Sequence, residues 1–396
     1  MRSVDHVVIG KGLVGTATAK YLAKSGASVL VIGPDEPTDF SSATLFASHY
    51  DQARAQRIIN FTPMWTHLSV DSVTAWPEIE AESGIDFHNG AGCVYLAESE
   101  DEYLASVPGQ AKEFNLDYQV LEDAAGVAKV ASEFAFDRHV QGIYESGPAG
   151  TINPRALVQA KLAVFEKSGG TILRDVATSV TRADSHWVIT TATGEQVSAT
   201  NVVVAGGSFS NFHNLLPVTL DILVKSEVVI LAQVSADQAG AMAALPSLLY
   251  EIHEPDFDGI YLMRPVQYPD GNWYLKMGMN QRIDLHVESL DELNAWFQGQ
   301  EHAKYLPILQ REIVKLFPRV NFLSFQTKPC VISRTVTANP YIDVIEPGLF
   351  VATGCNGYSA MTSDAQGKVA AHLVLTGQYP AGYHGADFAV RTKQEN

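Results

Sequence analysis

Apolar and polar positions along the chain fall into two textures. In the first, short unbroken apolar runs end near glycine. "VDHVVIG", Val4 to Gly10, is such a run, rich in β-branched residues, and "ASVLVI", Ala27 to Ile32, is another. Between them Leu13, Ala17, Tyr21 and Leu22 share one face at helical spacing, and Gly26 stops that helix. Strand, glycine turn, helix and strand in such close order predict the βαβ unit of a doubly wound parallel sheet. "NPRALVQAKLAVFEKSGG", Asn153 to Gly170, predicts a second helix, with Pro154 in its first turn and Gly169-Gly170 at its end. "TIL" then reads as a strand. "NVVVAGG", Asn201 to Gly207, and "GLFVATGCNGYSA" near the end repeat the pattern, the latter followed by a helix from about Ser363 to Thr376.

The second texture alternates apolar with polar positions. It fills residues 86–144 and 216–324, as in "CVYLAE", "EVVILAQV" and "NWYLKMGM". Alternation predicts strands with one face turned to solvent or to a cavity, hence a largely antiparallel sheet. The first texture recurs at the start, middle and end of the chain. The expected architecture is therefore α/β: a discontinuous Rossmann-like domain of residues 1–85, 145–215 and 325–396. A second, mainly antiparallel β-sheet domain (α+β) of residues 86–144 and 216–324 would hold the substrate. There are no internal repeats and no low-complexity segment.

Composition narrows the classes. A chain of 396 residues has room for two cores, and 46% hydrophobic with 18% charged residues is globular. A net charge of −17 argues against a nucleic-acid or anionic-membrane partner, because both need basic surface. Cys93, Cys330 and Cys355 lie far apart without a CxxC pair, which suits neither a disulfide scaffold nor a zinc site; no metal is expected. A strand begins within a few residues of Met1, leaving no room for a signal peptide, and no apolar run approaches the roughly 20 residues of a membrane helix. The expected location is cytoplasmic.

The glycine turn "HVVIGKGLVG" carries the first chemistry. Gly10 permits the tight turn, Gly12 lets backbone N–H groups approach a pyrophosphate, and Gly15 lets helix pack on strand. The positive end of the helix then faces the phosphates. An acid that grips ribose hydroxyls should end the second strand, but Gly33 stands there. Asp35 or Glu36, just past Pro34, either reaches the ribose or belongs to a solvated turn. The turn alone does not separate NAD from FAD.

Taken in order, the N-terminal βαβ, "VVVAGGSFS" and "GLFVATGCNGYS" resemble the D-amino-acid oxidase superfamily of FAD enzymes. Within it the chain is most similar to the monomeric sarcosine oxidase group, which oxidises secondary amines and amino acids. The resemblance implies FAD, with Gly206, Gly354, Asn356, Gly357 and Tyr358, together with Ser42 and Val176, among its contacts. It also places a histidine and basic residues over the flavin, where "SHYDQARAQR" offers His49, Arg54 and Arg57. Such a cluster would stabilise the reduced ring and an anionic substrate. The same stretch also reads as the solvated start of a helix.

A lysine near flavin N5 helps oxygen react in that group, and "NWYLKMGMN" makes Lys276 its counterpart. The other reading is a lysine snorkelling out at a sheet edge. "KPCVISRTVTANPYID" resembles the segment whose cysteine bonds the flavin 8α-carbon, making Cys330 the candidate for a covalent FAD; a buried cysteine is otherwise an inert small hydrophobe. Three substrate-facing positions depart from the group. Asn280 stands for a histidine, Ile332 for a tyrosine, and Met361 for a lysine that pairs with the substrate carboxylate. The pocket should be more apolar or hold its acid through Arg57 or Arg334.

The resemblance implies an oxidase of a secondary amine or amino acid. A hydride would pass from the substrate α-carbon to flavin N5, water would hydrolyse the imine, and oxygen near Lys276 would yield peroxide. The alternatives are a flavin dehydrogenase of amino or 2-hydroxy acids serving a quinone, an NAD-dependent opine-type dehydrogenase, and a non-catalytic flavin-binding subunit.

Overall fold

A computed structural model describes residues 1–40 and 43–393. Its first sheet is built on Arg2–Ile9, which pairs in parallel with Val29–Ile32 on one side and Gln196–Val204 on the other. Thr171–Leu173 extends the sheet beyond Val29–Ile32. Gln196–Val204 is shared: its first half pairs with the antiparallel hairpin Ala177–Ala183/His186–Thr191, its last residues with Leu349–Thr353. Both faces are covered, as a parallel sheet requires. Val8, Val31 and Val203 pack into a core with the helices Leu13–Lys24 and Ser359–Thr376. Val7, Ile9, Leu30 and Ile32 pack the other way, against Trp187 and Ile189.

The helix Leu13–Lys24 can start so close to the strand because of glycine. A Cβ on Gly15 would lie 1.9 Å from the Gly10 carbonyl oxygen, and Gly10 itself has φ of +114°. The two further helices of this layer are Pro154–Lys167, capped by Asn153, and Pro63–Ser83, capped by Thr62. Among the described residues no helix is long and apolar enough to cross a membrane.

Among the described residues the second sheet has nine strands. Its central order runs Ile222–Val234, Trp273–Gln281, Phe257–Gln267, Ser247–His253, Cys93–Ala97 and Gln141–Glu145. All these pairs are antiparallel except Ser247–His253 with Cys93–Ala97. Alternation sorts its side chains. Val228, Ile230, Leu275, Met277 and Met279 enter the largest core, covered by the helix Leu306–Leu316. The intervening residues face the first sheet.

Two expectations need correction. The border at 324/325 is misplaced: Ser324–Thr335, with Cys330, pairs antiparallel along its length with Ile222–Val234 and belongs to the second sheet. The helices Glu102–Phe114, Leu290–Gln298 and Leu306–Leu316 lie within the alternating segments, in keeping with the expected α+β domain. Finally, "DQARAQR" is no helix start. Arg54–Gln56 is a strand pairing with Gly150–Ile152, which also pairs with His88–Asn89 in a small third sheet.

Candidate active site

A cavity of about 1070 Å³ lies where the first and second sheets meet. One end is the glycine turn. Gly10, Lys11 and Gly12 line it, and Gly12 begins the helix Leu13–Lys24 without any side-chain cap. The first N–H groups of that helix are thus available to an anion. Nothing lies within 4 Å of where a Gly12 Cβ would stand, so the turn is open on that side. Gly15 serves packing and does not line the cavity.

The two acids after Pro34 divide. Asp35 is 59% exposed and pairs with Lys11 and with Arg174 at 3.1 Å, so it is turned away from the cavity. Glu36 lines the cavity and takes a bidentate bond from Arg155, at 2.7 and 2.6 Å. Of the two acids expected near the ribose, Glu36 is the one that lines the cavity. Val176, Gly206 and Gly354 line the same cavity. Asn356 does not: its side chain holds the loop to the neighbouring strand, accepting from Thr335 N at 3.0 Å and donating to Gly354 O at 2.9 Å. Gly357 and Tyr358 follow it, the Tyr358 ring tilted against Trp65 at 4.9 Å. Ser42 lies outside the described residues.

The other end is a charged knot. Asp51 Oδ2 accepts from Lys276 Nζ at 2.5 Å and from Arg54, while Oδ1 accepts from the Tyr268 hydroxyl at 2.7 Å and from Gln52 N at 2.8 Å. Lys276 also donates to Ala53 O at 2.9 Å, and Arg54 to Ser48 O at 2.8 Å. Arg54 Nη2 stands 3.9 Å from Cys330 Sγ, and Lys328 donates to Tyr50 O. Asp51, Arg54, Lys328, Tyr268 and Cys330 line the cavity; Lys276 stands just behind Asp51. It is 1% exposed, which excludes a lysine snorkelling from a sheet edge.

Electrostatics follow from this burial. Burial alone would raise the Asp51 carboxyl, but Arg54, Lys276 and Lys328 hold it well below the usual carboxylate range. Burial and the neighbouring Arg54 bring Lys276 down to about 8, against the upward pull of Asp51. Burial, then Arg155, Lys11 and Arg54, push His49 down to about 3, so its imidazole is neutral at ordinary pH. His49 Nδ1 and Arg155 Nη1 are buried on this cavity without a hydrogen-bond partner. An open phosphate-type turn, two orphaned polar atoms and a large cleft fit a dinucleotide with a polar ring.

The remaining substrate candidates sit apart from the cavity wall. Arg57 is buried, bonds Asn60 Oδ1 at 3.1 Å, and lies over the rings of Tyr103 and Phe61 at 4.5 and 4.9 Å. Tyr95 and Tyr358 close this aromatic cage at 5.8 Å. Ile332 Cδ1 is 3.8 Å from the side-chain position of Gly357. Asn280 Nδ2 lies beside Gly259 and Glu251. Met361 is not brought to the site: it packs into an apolar cluster with Leu13 and Trp76. Sequence reasoning passed over Asp51, Tyr268 and Lys328. Asp51 stood in view inside "SHYDQARAQR", an isolated acid before two arginines.

Comparison with known proteins gives three findings. A family model described as FAD dependent oxidoreductase matches residues 5–373. N-methyl-L-tryptophan oxidases of Yersinia pestis (strain Pestoides F) and Yersinia pseudotuberculosis serotype O:3 (strain YPIII) are 24% identical over 220 residues, 54% of this chain and 57% of theirs. The chain thus spans little more than half the length of the curated relatives it matches. Among solved structures, NikD, an unusual amino acid oxidase essential for nikkomycin biosynthesis, superposes with a TM-score of 0.77 at 17% identity, over 100% of this chain and 99% of that one. Glycine oxidase from Geobacillus kaustophilus gives 0.72 at 18%, covering both chains fully. At these identities the likeness is one of fold.

Proposed function

Because the chain belongs to the FAD-dependent oxidoreductase family, whose model spans residues 5–373, we propose that it is an oxidase of a secondary amine or amino acid. The observation that carries this reading is Lys276: a buried ammonium fixed by Asp51 at the edge of a dinucleotide-sized cavity. FAD held in that cavity would supply the redox chemistry, hydride acceptance from the carbon beside the substrate nitrogen and two-electron reduction of oxygen to peroxide.

The residues of the chain do the rest. The turn from Gly10 to Gly12 and the uncapped helix behind it hold the pyrophosphate, and Glu36 the ribose. Arg54 and Lys276 present fixed positive charge where negative charge develops on the ring and on oxygen. His49, neutral, offers a hydrogen bond rather than a charge. Arg57 stands behind the cavity wall in its aromatic cage and is the cation assigned to a substrate carboxylate, which has to pass that wall to reach it. Cys330 lines the cavity beside Arg54, which supports its attachment to the cofactor as a thioether.

The test uses protein purified in air. After denaturation and precipitation, yellow in the pellet supports the Cys330 bond, and yellow in the supernatant a bound but free FAD. A colourless preparation contradicts the cofactor assignment. Peroxide release is then screened with N-methyl and cyclic amino acids. Flavin bleaching under nitrogen without peroxide in air would make the protein a dehydrogenase.

A further inference from the structure

The cavity side of the second sheet carries a carboxylate that the reading above leaves without a task. Along Ile222–Val234, Val228, Ile230 and Ala232 point into the main core, so Glu227, Val229 and Leu231 point the other way. Val229 lines the cavity. Glu227 stands directly opposite Cys330 in the strand register, and directly opposed residues project from the same face. Cys330 also lines the cavity, and Glu227 itself stands just behind that wall.

A deliberate arrangement brings Tyr261 to this carboxylate. Tyr261 pairs with Gly278 on the strand between it and Glu227. A Cβ on Gly278 would fall 2.1 Å from the Tyr261 ring, so only glycine lets the ring lie across that strand. The hydroxyl then donates to Glu227 Oε1 at 2.9 Å. Gly278 is two residues beyond Lys276 and shares its face, which sets the tyrosine–glutamate pair beside the Lys276–Asp51 knot.

The charge of Glu227 is under-compensated. The residue is 1% exposed, and Oε2 accepts no hydrogen bond. Its nearest cation is Lys225 Nζ, at 3.4 Å, which is closer to both oxygens of Asp284, at 3.0 Å each. Two carboxylates thus share one ammonium. Arg54 and Lys276 are already engaged by Asp51 and by backbone carbonyls. A buried carboxylate in this position is costly until a cation completes it.

Resting on the amine-oxidase reading, we propose that Glu227, held by Tyr261, is the anionic subsite for the cationic nitrogen of the substrate. An amine that reaches this enzyme at neutral pH is protonated; Glu227 selects it over an uncharged molecule of the same shape and takes up its ammonium proton, so that the neutral amine is the species that gives up hydride. Arg57 then takes the carboxylate end of an amino acid.

The test is a titration of the oxidised holoenzyme, followed by the flavin absorbance, with two pairs of isosteres. Choline is compared with 3,3-dimethylbutan-1-ol, and glycine betaine with 3,3-dimethylbutanoate; neither quaternary nitrogen can be oxidised to an imine. Wild-type protein should bind the cation about tenfold or more tightly than its isostere in at least one pair. Glu227→Gln should bring that ratio close to one while isostere affinity stays within roughly twofold, and Tyr261→Phe should keep the preference. Lys225→Met, which removes the competing ammonium, should enlarge it and decides the matter if Glu227→Gln gives no folded holoenzyme. No cation preference in wild type, including no response to either cation, overturns the proposal. So does a preference that survives Glu227→Gln or fails to grow in Lys225→Met. The titration needs no turnover: should no amine reduce the flavin while the charge preference holds, the oxidase reading falls and the subsite stands.

Discussion

Two buried lysine–aspartate–tyrosine clusters occur among the described residues, and their chemistry is nearly the same. In the first, Asp364 accepts from Lys20 at 2.7 Å and from the Tyr21 hydroxyl at 2.7 Å. In the second, Asp51 accepts from Lys276 at 2.5 Å and from the Tyr268 hydroxyl at 2.7 Å. Both ion pairs are withdrawn from solvent to similar degrees. Their surroundings differ. Asp364 is enclosed by helices, with Lys161 bonded to its neighbour Ser363 and to Leu13 O, and the cluster ties Leu13–Lys24 to Ser359–Thr376 beneath the glycine turn. Asp51 borders the cavity, carries Arg54 as a second cation, and joins the second sheet to the segment entering the third. One cluster is a clamp within a layer. The other presents charge to a space large enough for a ligand. The residues alone do not tell them apart; the void beside one of them does.

The largest effect expected from this contrast is on stability. Asp364→Asn strands buried ammonium groups and should cost about 3–5 kcal/mol in urea unfolding. Asp51→Asn should cost clearly less, because Lys276 keeps its carbonyl partner and the cavity admits water; equal losses would erase the distinction. Next comes activity. Asp51→Asn should lower kcat/KM for oxygen about 100-fold, roughly 2.7 kcal/mol, with FAD content unchanged. Asp364→Asn, assayed below its unfolding temperature, should leave it within about twofold.

Smaller effects refine the comparison. Tyr21→Phe and Tyr268→Phe each remove a hydrogen bond to a charged carboxylate, worth about 1.5 kcal/mol or more of stability, but only Tyr268→Phe should change turnover. The pH dependence should be the subtlest. Burial and Arg54 bring Lys276 to about 8, with Asp51 and Cys330 pulling it up, so the ammonium persists below that value and is lost above it. The oxygen step should therefore slow as pH rises through about 8. Asp51→Asn removes an upward pull and should move the decline to lower pH; a decline that stays in place contradicts the assignment.

Much of the fold was legible because its signals are local. The βαβ unit announces itself through apolar runs, helical spacing and glycines within a short stretch. The helix Pro63–Ser83 does not, since its buried face includes Thr66, Ser69 and Ser72, and Ser72 accepts a bond from Ala365 N. No clean apolar stripe marks it. The strand Ser324–Thr335 was hidden by Pro329 at its centre, which argues against a strand from sequence alone. At the site, His49, Arg54 and Cys330 came from a resemblance, whereas the role of Asp51 depends on a lysine 225 positions away. Such a contact is invisible until the chain is folded. Glu36 rather than Asp35 faces the cavity because Lys11 and Arg174 draw Asp35 outward, again a long-range effect.

The central claim is that the Lys276 ammonium serves the oxygen step. Its most direct test is to reduce wild-type and Lys276→Met holoenzyme under nitrogen with an amine found by the peroxide screen. Each is then mixed rapidly with oxygenated buffer and the return of flavin absorbance followed. Reoxidation of Lys276→Met should be about 100-fold slower or more, while its anaerobic reduction stays within roughly threefold of wild type. Equal reoxidation rates in the two proteins would contradict it.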